Sequence, residues 1–312
     1  MALRYFLRRL LRMIPVILGM TIIVFFMIHL VPGDPARTLL GPRAPAEAID
    51  AFNLRWGFDR PLHEQFLSFL GGLVQGDLGT SLSYNVPTTE LVTGRFTPTL
   101  LLLAISGLFA MVISLPLAVV AALREERTPD HVVRVIPMLG LGLPAFWVGI
   151  LLLTFVALRV DWLPVGGYGA TWPDRLIAMI LPGLTVAIGI APFTIRSLRS
   201  SLIEVMEADY IATARAKGLA GVRVLWAHGL RNAVIPTVTV LGVNLGWLVG
   251  NTLIVEKVFA LPGLGALMID AVLERDFAVV QGLALIFGLL VVLVNLLADV
   301  VRASLDPRVQ LS

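Results

Sequence analysis

Six long apolar runs without Asp, Glu, Lys or Arg constrain this chain more than any other feature. Each run holds between 19 and 28 residues. The runs are Met13–Val31, Phe96–Leu123, Val135–Leu158, Leu176–Ile195, Asn232–Val255 and Phe277–Ala298. A bilayer core about 30 Å thick is crossed by roughly 20 helical residues. The sequence therefore predicts an all-α integral membrane protein with six transmembrane helices.

The composition excludes a water-soluble domain and argues against a catalytic or metal-binding protein. Only 14% of the 312 residues are charged and 57% are hydrophobic. In soluble domains, roughly a quarter of the residues are charged. Cysteine is absent and the four histidines are dispersed, so we expect no disulfide and no metal site. P-loop, zinc-protease and nucleophile-elbow motifs are missing from the sequence, so we also expect no catalytic residues.

The distribution of basic residues predicts which ends of the spans face the cytoplasm. With the N-terminus inside, six alternating spans leave 15 Lys and Arg residues inside and 9 outside. The corresponding net charges are +7 and −4. Cytoplasmic loops carry the excess of basic residues. Residues 1–12 and the short segment after residue 298 are therefore both predicted to be cytoplasmic.

The segments around the spans differ in length and character. Residues 32–95 are predicted to form an extracytoplasmic segment with short helices at Ala46–Trp56 and Pro61–Val74. Residues 96–312 then form the core that contains spans two to six. The apolar run Val258–Ile269 holds 12 residues, which is too few to cross a bilayer, so it is predicted to lie at a surface or interface.

The cytoplasmic segment 196–231 contains a helical pattern with unusually small side chains. Acidic residues come first, Arg215 and Lys217 follow, and Gly218 stands behind them, an order that suits a helix dipole and a glycine C-cap. One interpretation is a capped helix lying on the membrane face, and the other is a short helix that docks into a groove of a soluble partner. The predicted docking residues are Asp209, Tyr210, Ala212, Thr213, Ala214, Arg215, Ala216, Lys217, Gly218 and Leu219.

Span five carries two sets of residues that differ from its apolar surroundings. Gly242, Gly246 and Gly250 share a four-residue spacing, which predicts a stripe for close helix packing. Asn244 and Asn251 lie on roughly the opposite face. Because amides in a bilayer need partners or water, they are interpreted either as interhelical hydrogen-bonding residues or as the lining of a translocation pathway.

An ordered set of motifs runs along almost the whole chain. Two of them, Thr213–Leu219 and His228–Pro236, stand in the cytoplasmic segment and at the start of span five. The others are Val31–Pro35, Gly76–Ser81, Pro144–Trp147, Glu256–Gly265, Arg275–Gln281 and Asp306–Arg308. In order and spacing this set resembles the ABC-importer permeases of the dipeptide, oligopeptide, glutathione and nickel branch, a binding-protein-dependent transport family. The wider permease pattern places a glutamate at the position of Ala212, so a contact that needs a glutamate is not expected here.

This resemblance implies the type I ABC-importer permease fold and a pathway for peptides, or for a related solute such as glutathione or nickel. It implies a second homologous permease subunit in a heterodimer, two ABC ATPase subunits on the cytoplasmic side with Asp209–Leu219 in an ATPase groove, and an extracytoplasmic substrate-binding protein, all in or at the lipid membrane. The ATPases would use ATP and Mg, and this chain would bind no cofactor directly. The implied location is the cytoplasmic (inner) membrane of a bacterium or archaeon, with several spans.

A self-sufficient secondary transporter is the alternative function. Such a protein is expected to show inverted repeats and ionisable residues at mid-span, but Asp and Glu are missing from the middle of every run. A membrane scaffold or an intramembrane hydrolase forms a third class, and the hydrolase lacks a visible nucleophile and base. Nucleic-acid binding is not expected because the cytoplasmic basic residues are dispersed.

Overall fold

The computed structural model describes residues 2–30, 35–41 and 43–305, and these ranges are mainly helical. The helices are α1 Ala2–Leu30, α2 Pro35–Leu40, α3 Ala46–Trp56, α4 Leu62–Val74, α5 Thr88–Leu123, α6 Thr128–Leu141, α7 Ala145–Phe155, α8 Trp172–Ala178, α9 Ile180–Glu207, α10 Asp209–Ala216, α11 Gly221–Arg223, α12 Arg231–Val258, α13 Leu264–Leu273 and α14 Phe277–Leu305. A π-helical segment, Val224–Leu230, joins α11 to α12. The described ranges contain no β-strand.

Three helical stretches are long and apolar enough to cross a membrane. They are Thr88–Leu123, Trp172–Glu207 and Phe277–Val301, and they contain the second, fourth and sixth predicted spans. The first and fifth predicted spans lie on α1 and α12. Residues 31–34 and the closing motif Asp306–Arg308 lie outside the described residues.

The third predicted span, Val135–Leu158, is not one continuous helix. Helix α6 ends at Leu141, and α7 begins directly after Pro144. Proline has no amide hydrogen, and its ring disfavours helical backbone at the preceding residue. The apolar run is therefore divided between two shorter helices.

Helix α9 continues well beyond the apolar run that predicted it. The run ends at Ile195, but the helix ends at Glu207. Leu198 and Leu202 are fully buried one turn apart, so the extension is an amphipathic helix with an apolar stripe on one side. The first charged residue marks the end of the apolar run, while the helix itself continues.

The described chain divides into two compact units. The larger comprises the described parts of Met1–Tyr5, Thr97–Ala266 and Val291–Ser312, and the smaller comprises those of Phe6–Phe96 and Leu267–Leu290. In the larger unit α9 is central and packs against α12, α6 and α7. One apolar cluster surrounds Leu102, Met179, Ile190 and Phe259, and a second surrounds Leu198, Leu202, Leu230 and Ala233.

In the smaller unit, aromatic and amide contacts hold α1. The ring centroid of Phe25 lies 5.1 Å from that of Phe66 and 5.8 Å from that of Phe69 on α4. The side-chain amide of Gln281 on α14 donates to the carbonyl oxygen of Val24 at 3.0 Å. Because Gln281 is buried, this hydrogen bond satisfies a polar group that would otherwise be costly in an apolar environment.

Candidate functional site

Helix α10 is a separate short helix, set off from α9 by one extended residue. Ala208 has ψ near 147°, and α10 then runs from Asp209 to Ala216. Glu204 and Glu207 consequently belong to the last turns of α9, and Asp209 alone is acidic in the first turn of α10. The expectation that several acids lead into one helix is corrected by this break.

A left-handed glycine ends α10. Gly218 has φ +78°, its N–H donates to the Arg215 carbonyl at 2.9 Å, and the Leu219 N–H donates to the Ala214 carbonyl at 3.3 Å. These two bonds form a Schellman motif, which satisfies the last helical carbonyls. A Cβ at Gly218 would meet no heavy atom within 4 Å, so the backbone conformation rather than crowding favours glycine here.

One face of α10 is buried against its own surroundings. Ile211 is fully buried and Ala214 is 7% exposed, and together with Val224 they form an apolar cluster flanked by Met206 and Leu219. Residues three apart lie on one helix face. Ala214 was predicted on the docking surface, but it belongs to the buried side of α10.

The opposite face of α10 and its C-cap are exposed. The exposed residues of the predicted set are Asp209, Tyr210, Ala212, Thr213, Arg215, Ala216, Lys217 and Gly218. This surface is low in relief at its centre and basic at its end. A partner groove could therefore approach the helix backbone closely.

The second inner motif connects α10 to both long helices. Asn232, at the start of α12, donates its amide to the Tyr210 hydroxyl at 3.3 Å and to the His228 carbonyl at 2.8 Å. A Cβ at Gly229 would lie 3.0 Å from the Met206 sulfur, so the glycine permits the π-helical segment to pack against the end of α9. Single π-type turns are frequent at functional sites.

The glycines of span five behave differently from one another. A Cβ at Gly242 would lie 2.8 Å from the Ala298 Cβ of α14, and one at Gly246 would lie 3.5 Å from Val291. Gly242 therefore permits close packing of α12 on α14. Gly250 is exposed, and no described atom lies within 4 Å of a Cβ placed there, so the described residues of this chain do not pack closely on it.

The two asparagines of α12 are half-buried. Asn244 donates its amide to the Val240 carbonyl of its own helix at 2.7 Å, which differs from the interhelical bond that one interpretation expected. Asn251 borders a cavity of about 30 Å³ together with residues that include Thr185 and Val148. The two positions thus lie in different environments along the helix.

The first residue of the motif Glu256–Gly265 is a fully buried carboxyl group near the end of α12, and the sequence did not indicate its burial. Glu256 is 0% exposed and accepts hydrogen bonds from the Thr99 hydroxyl at 2.7 Å and the Ala266 N–H at 2.9 Å. The Thr99 oxygen in turn accepts from the Leu264 N–H at 2.8 Å. The carboxylate and the hydroxyl together fix the start of α13.

The glycines of the motif Glu256–Gly265 surround this carboxylate. A Cβ at Gly263 would overlap the Glu256 carboxyl group, and one at Gly265 would lie 2.5 Å from the Leu253 Cα. The run Val258–Ile269 was expected at a surface, but most of it is buried. We refer to residues 259–265 as the glycine loop.

Two further motifs meet in the smaller unit. The Ser81 hydroxyl donates to the buried Asp276 carboxylate at 2.5 Å, and the Ser83 N–H donates to the same oxygen at 3.1 Å. Asp276 also accepts a longer bond from the Val279 N–H in the first turn of α14. The motifs Gly76–Ser81 and Arg275–Gln281 are therefore parts of one hydrogen-bonded structure.

A buried ion pair joins α6 to the extension of α9. Asp130 is 0% exposed, and the Arg199 guanidinium donates to its two oxygens at 2.5 and 2.6 Å. The hydrogen bond from Arg199 holds the pKa of the Asp130 carboxyl below its usual range, although burial opposes this effect. The same bond raises the pKa of Arg199. The sequence pattern gave no indication that Asp130 and Arg199 form an ion pair.

Among the described residues, no group of three His, Cys, Asp or Glu side chains is arranged to hold a metal ion. Three buried carboxyl groups are instead each hydrogen-bonded by another side chain: Glu256 by Thr99, Asp276 by Ser81, and Asp130 by Arg199. Each of these hydrogen bonds joins segments that are distant in sequence.

Comparison with known proteins identifies the family. Residues 114–311 match the family described as "Binding-protein-dependent transport system inner membrane component", and residues 2–88 match its N-terminal companion, "Binding-prot-dependent transport system membrane comp, N-term". The chain is 41% identical over 308 residues to the glutathione transport system permease protein GsiC of Salmonella choleraesuis strain SC-B67, with 99% of each chain covered. It is 39% identical to GsiC of Escherichia coli K12 over the same length.

A solved structure shows the same fold. The methionine ABC transporter MetNI, in inward-facing conformations, matches with a TM-score of 0.57 and 21% identity over 69% of this chain and 96% of that one. At this identity the likeness concerns the fold, which is that of a type I ABC-importer permease. Taken with the family match along most of the sequence, it shows that the chain belongs to the binding-protein-dependent transport system inner membrane components and is a membrane permease subunit of an ABC importer.

Proposed function

We propose that α10 is the surface through which this permease subunit docks in the groove of a partner ATPase subunit, one of two in the complex, and receives its motion. The observation that supports the proposal is the division of α10 into an exposed, low-relief face around Ala212, Thr213 and Ala216 and a buried face at Ile211 and Ala214. A helix that docks in a groove needs a smooth exposed face. It also needs a firm attachment to the elements that it moves.

Hydrogen bonding and packing supply that attachment. The cluster of Ile211, Ala214 and Val224 holds α10 against the π-helical segment, and Asn232 links Tyr210 to the start of α12. The ATPases would use ATP and Mg, with neither bound by this chain. Their closure would displace α10 together with the ends of α9 and α12, which carry spans four and five, and so switch the pathway between inward-open and outward-open.

The proposed topology has six spans and both termini in the cytoplasm. The excess of 15 basic residues over 9 supports this orientation. The relatives of known source are bacterial, so we place the chain in the bacterial cytoplasmic membrane. There it would pair with a second, homologous permease subunit and receive solute from an extracytoplasmic binding protein.

The proposed solute is a small peptide, with glutathione the first compound to test. Glutathione is itself a tripeptide, and the GsiC relatives at 39–41% identity are glutathione transport permeases. Within the spans, Asn244 and Asn251 are the proposed polar contacts of the pathway. Nickel is the competing solute.

Reconstitution with the partner subunits and the binding protein tests both parts of the proposal. ATPase activity should rise with glutathione or a dipeptide and stay at its basal rate with Ni²⁺ alone; stimulation by Ni²⁺ alone would contradict the solute assignment. Thr213→Trp should abolish the stimulation while the chain remains in the membrane. Val222→Trp is the matched control, because Val222 is 71% exposed but lies on α11. Equal activity of both variants would contradict docking at α10.

A further inference from the structure

A cavity of about 300 Å³ lies between α6 and the extension of α9 in the larger unit. Its lining combines three guanidinium groups, those of Arg134, Arg196 and Arg199, with an apolar wall that includes Pro137 and Ile195. The proposed coupling function uses none of these groups.

Proline contributes to the gap on both sides. Pro137 lies within α6 and Pro192 within α9, and both line the cavity. A proline inside a helix removes one backbone hydrogen bond and bends the helix. Both prolines therefore border the gap between the two helices, which the Asp130–Arg199 pair bridges.

The charges around the cavity leave one arginine without an acidic partner. Arg199 pairs with Asp130 and lies 4.0 Å from Glu125. Arg134 lies 3.4 Å from Glu126 and also contacts His131. No described side chain pairs with the exposed Arg196, so the cavity presents one uncompensated positive charge.

The position of Arg196 identifies the environment that this charge meets. It directly follows the apolar run that ends at Ile195, and the neighbouring surface of α6 exposes Val135 at 56% and Met138 at 48%. An exposed apolar face beside arginines at the end of a span is typical of a boundary between acyl chains and headgroups. Ser200, one turn beyond Arg196, adds a hydroxyl to the same cavity.

We propose that this cavity binds the phosphodiester headgroup of an anionic phospholipid, with Arg196 as its principal ligand and the α6 surface at Val135 and Met138 receiving an acyl chain. Basic pockets between helices on the cytoplasmic side bind such headgroups. The inference uses the proposed orientation of the chain. It does not depend on the coupling role of α10.

Native mass spectrometry of the delipidated full-length chain in detergent tests this proposal. Added phosphatidylglycerol should be retained at least fivefold better than phosphatidylcholine, since each arginine near an anionic surface contributes about fivefold. Arg196→Gln should reduce the preference to near unity. Arg124→Gln, which removes a charge from the adjacent loop but not from the cavity lining, should keep it.

Two further arms keep the result interpretable. Arg196→Lys should retain part of the preference and so exclude misfolding as the cause of the loss. Glycerol phosphate added at millimolar concentration should not displace the lipid. Equal retention of the two lipids, unchanged binding by Arg196→Gln, or full displacement by glycerol phosphate would each overturn the lipid site. Loss of ATPase copurification in Arg196→Gln with its lipid preference intact would also overturn it, in favour of a protein contact.

Discussion

Helix α10 and the glycine loop are both short connections in the larger unit, but different forces hold them. Packing of Ile211, Ala214 and Val224 supports α10 from one side, and its other face is exposed. The glycine loop instead surrounds Glu256, whose carboxylate is 0% exposed and hydrogen-bonded by Thr99 and Ala266. A surface that binds a partner must stay accessible, so its support has to come from behind. A loop fixed by internal hydrogen bonds needs no partner to hold its shape.

The comparison predicts that changes in the glycine loop reduce stability, whereas changes on the exposed face of α10 reduce coupling. The largest effect is expected for Glu256→Ala. It leaves the Thr99 hydroxyl and the Ala266 N–H without their acceptor, which should cost about 3 kcal/mol of unfolding free energy. Thermal unfolding in detergent measures the loss. Glu256→Gln keeps the volume and one acceptor, and should cost about half as much.

Glu274→Ala is the matched control for this prediction, since Glu274 is exposed and its removal should change the stability by less than about 0.5 kcal/mol. A Glu256→Ala variant as stable as Glu274→Ala would mean that the buried carboxylate does not fix the loop. The contrast between the two connections would then be lost.

Asp130→Asn should have the next largest effect, because it leaves Arg199 partly buried without its charged partner. Removing one partner of a buried ion pair lowers the free energy of unfolding by several kcal/mol. Because Arg199 is 13% exposed, we expect a loss of about 2 kcal/mol. The unfolding temperature should fall accordingly. The unfolding temperature of Arg199→Lys should fall less, because lysine keeps the positive charge but cannot form both hydrogen bonds of the guanidinium group. An unfolding temperature equal to that of the unchanged chain would refute the pairing.

Gly218→Val should affect coupling more than stability. A side chain at φ +78° costs about 1–2 kcal/mol, and this cost distorts the end of α10 locally. Substrate-stimulated ATPase activity of the reconstituted complex should be lost at normal membrane levels of the protein. Gly221→Val provides the control, because Gly221 has no positive φ and has open space around it. Because Asn tolerates left-handed backbone, Gly218→Asn should recover part of the ATPase activity. Equal ATPase activity of Gly218→Val and Gly221→Val would contradict the prediction.

The smallest expected effect is a dependence of stability on acid. The hydrogen bond from Arg199 lowers the pKa of Asp130. The contribution of Asp130 to the free energy of unfolding is therefore complete above the unfolded-state pKa of about 3.9, and it is lost as the pH falls through the lower pKa of the folded state. Stability should not change through Asp130 between pH 7 and 5, and should fall as the pH drops below about 3.9. Asp130→Asn should lack this part of the acid loss. Parallel pH curves for the two proteins would show that the pair does not titrate this way.

The apolar runs predicted the positions of the helices well, because a helix that crosses a bilayer must consist mainly of apolar residues. They located helix ends poorly. Helix α9 continues past Ile195 to Glu207 because Leu198 and Leu202 bury one face while the charged residues stay outside, and Pro144 divides the third run although its residues are apolar.

The sequence placed Glu256 and Asp276 in motifs without indicating a partner for either, and it did not single out Asp130. Glu256, Asp130 and Asp276 are all fully buried, and each is satisfied by a residue distant in sequence: Thr99, Arg199 and Ser81. Periodicity and charge counting contain no information about such pairs. Gly218 was predicted correctly as a helix terminator because its constraint is local, whereas the burial of Ala214 depends on Val224 from the next segment.

Cysteine cross-linking tests the docking role of α10 most directly, since the chain has no native cysteine. Thr213→Cys places a thiol on the exposed face, and Ala214→Cys places one on the buried face at 7% exposure. In the assembled complex, a short bifunctional reagent should link Cys at 213 to an ATPase subunit and leave Cys at 214 unlinked. Labelling of the residue-213 thiol by a membrane-impermeant maleimide added from outside the cell, with no ATPase cross-link, would contradict the account.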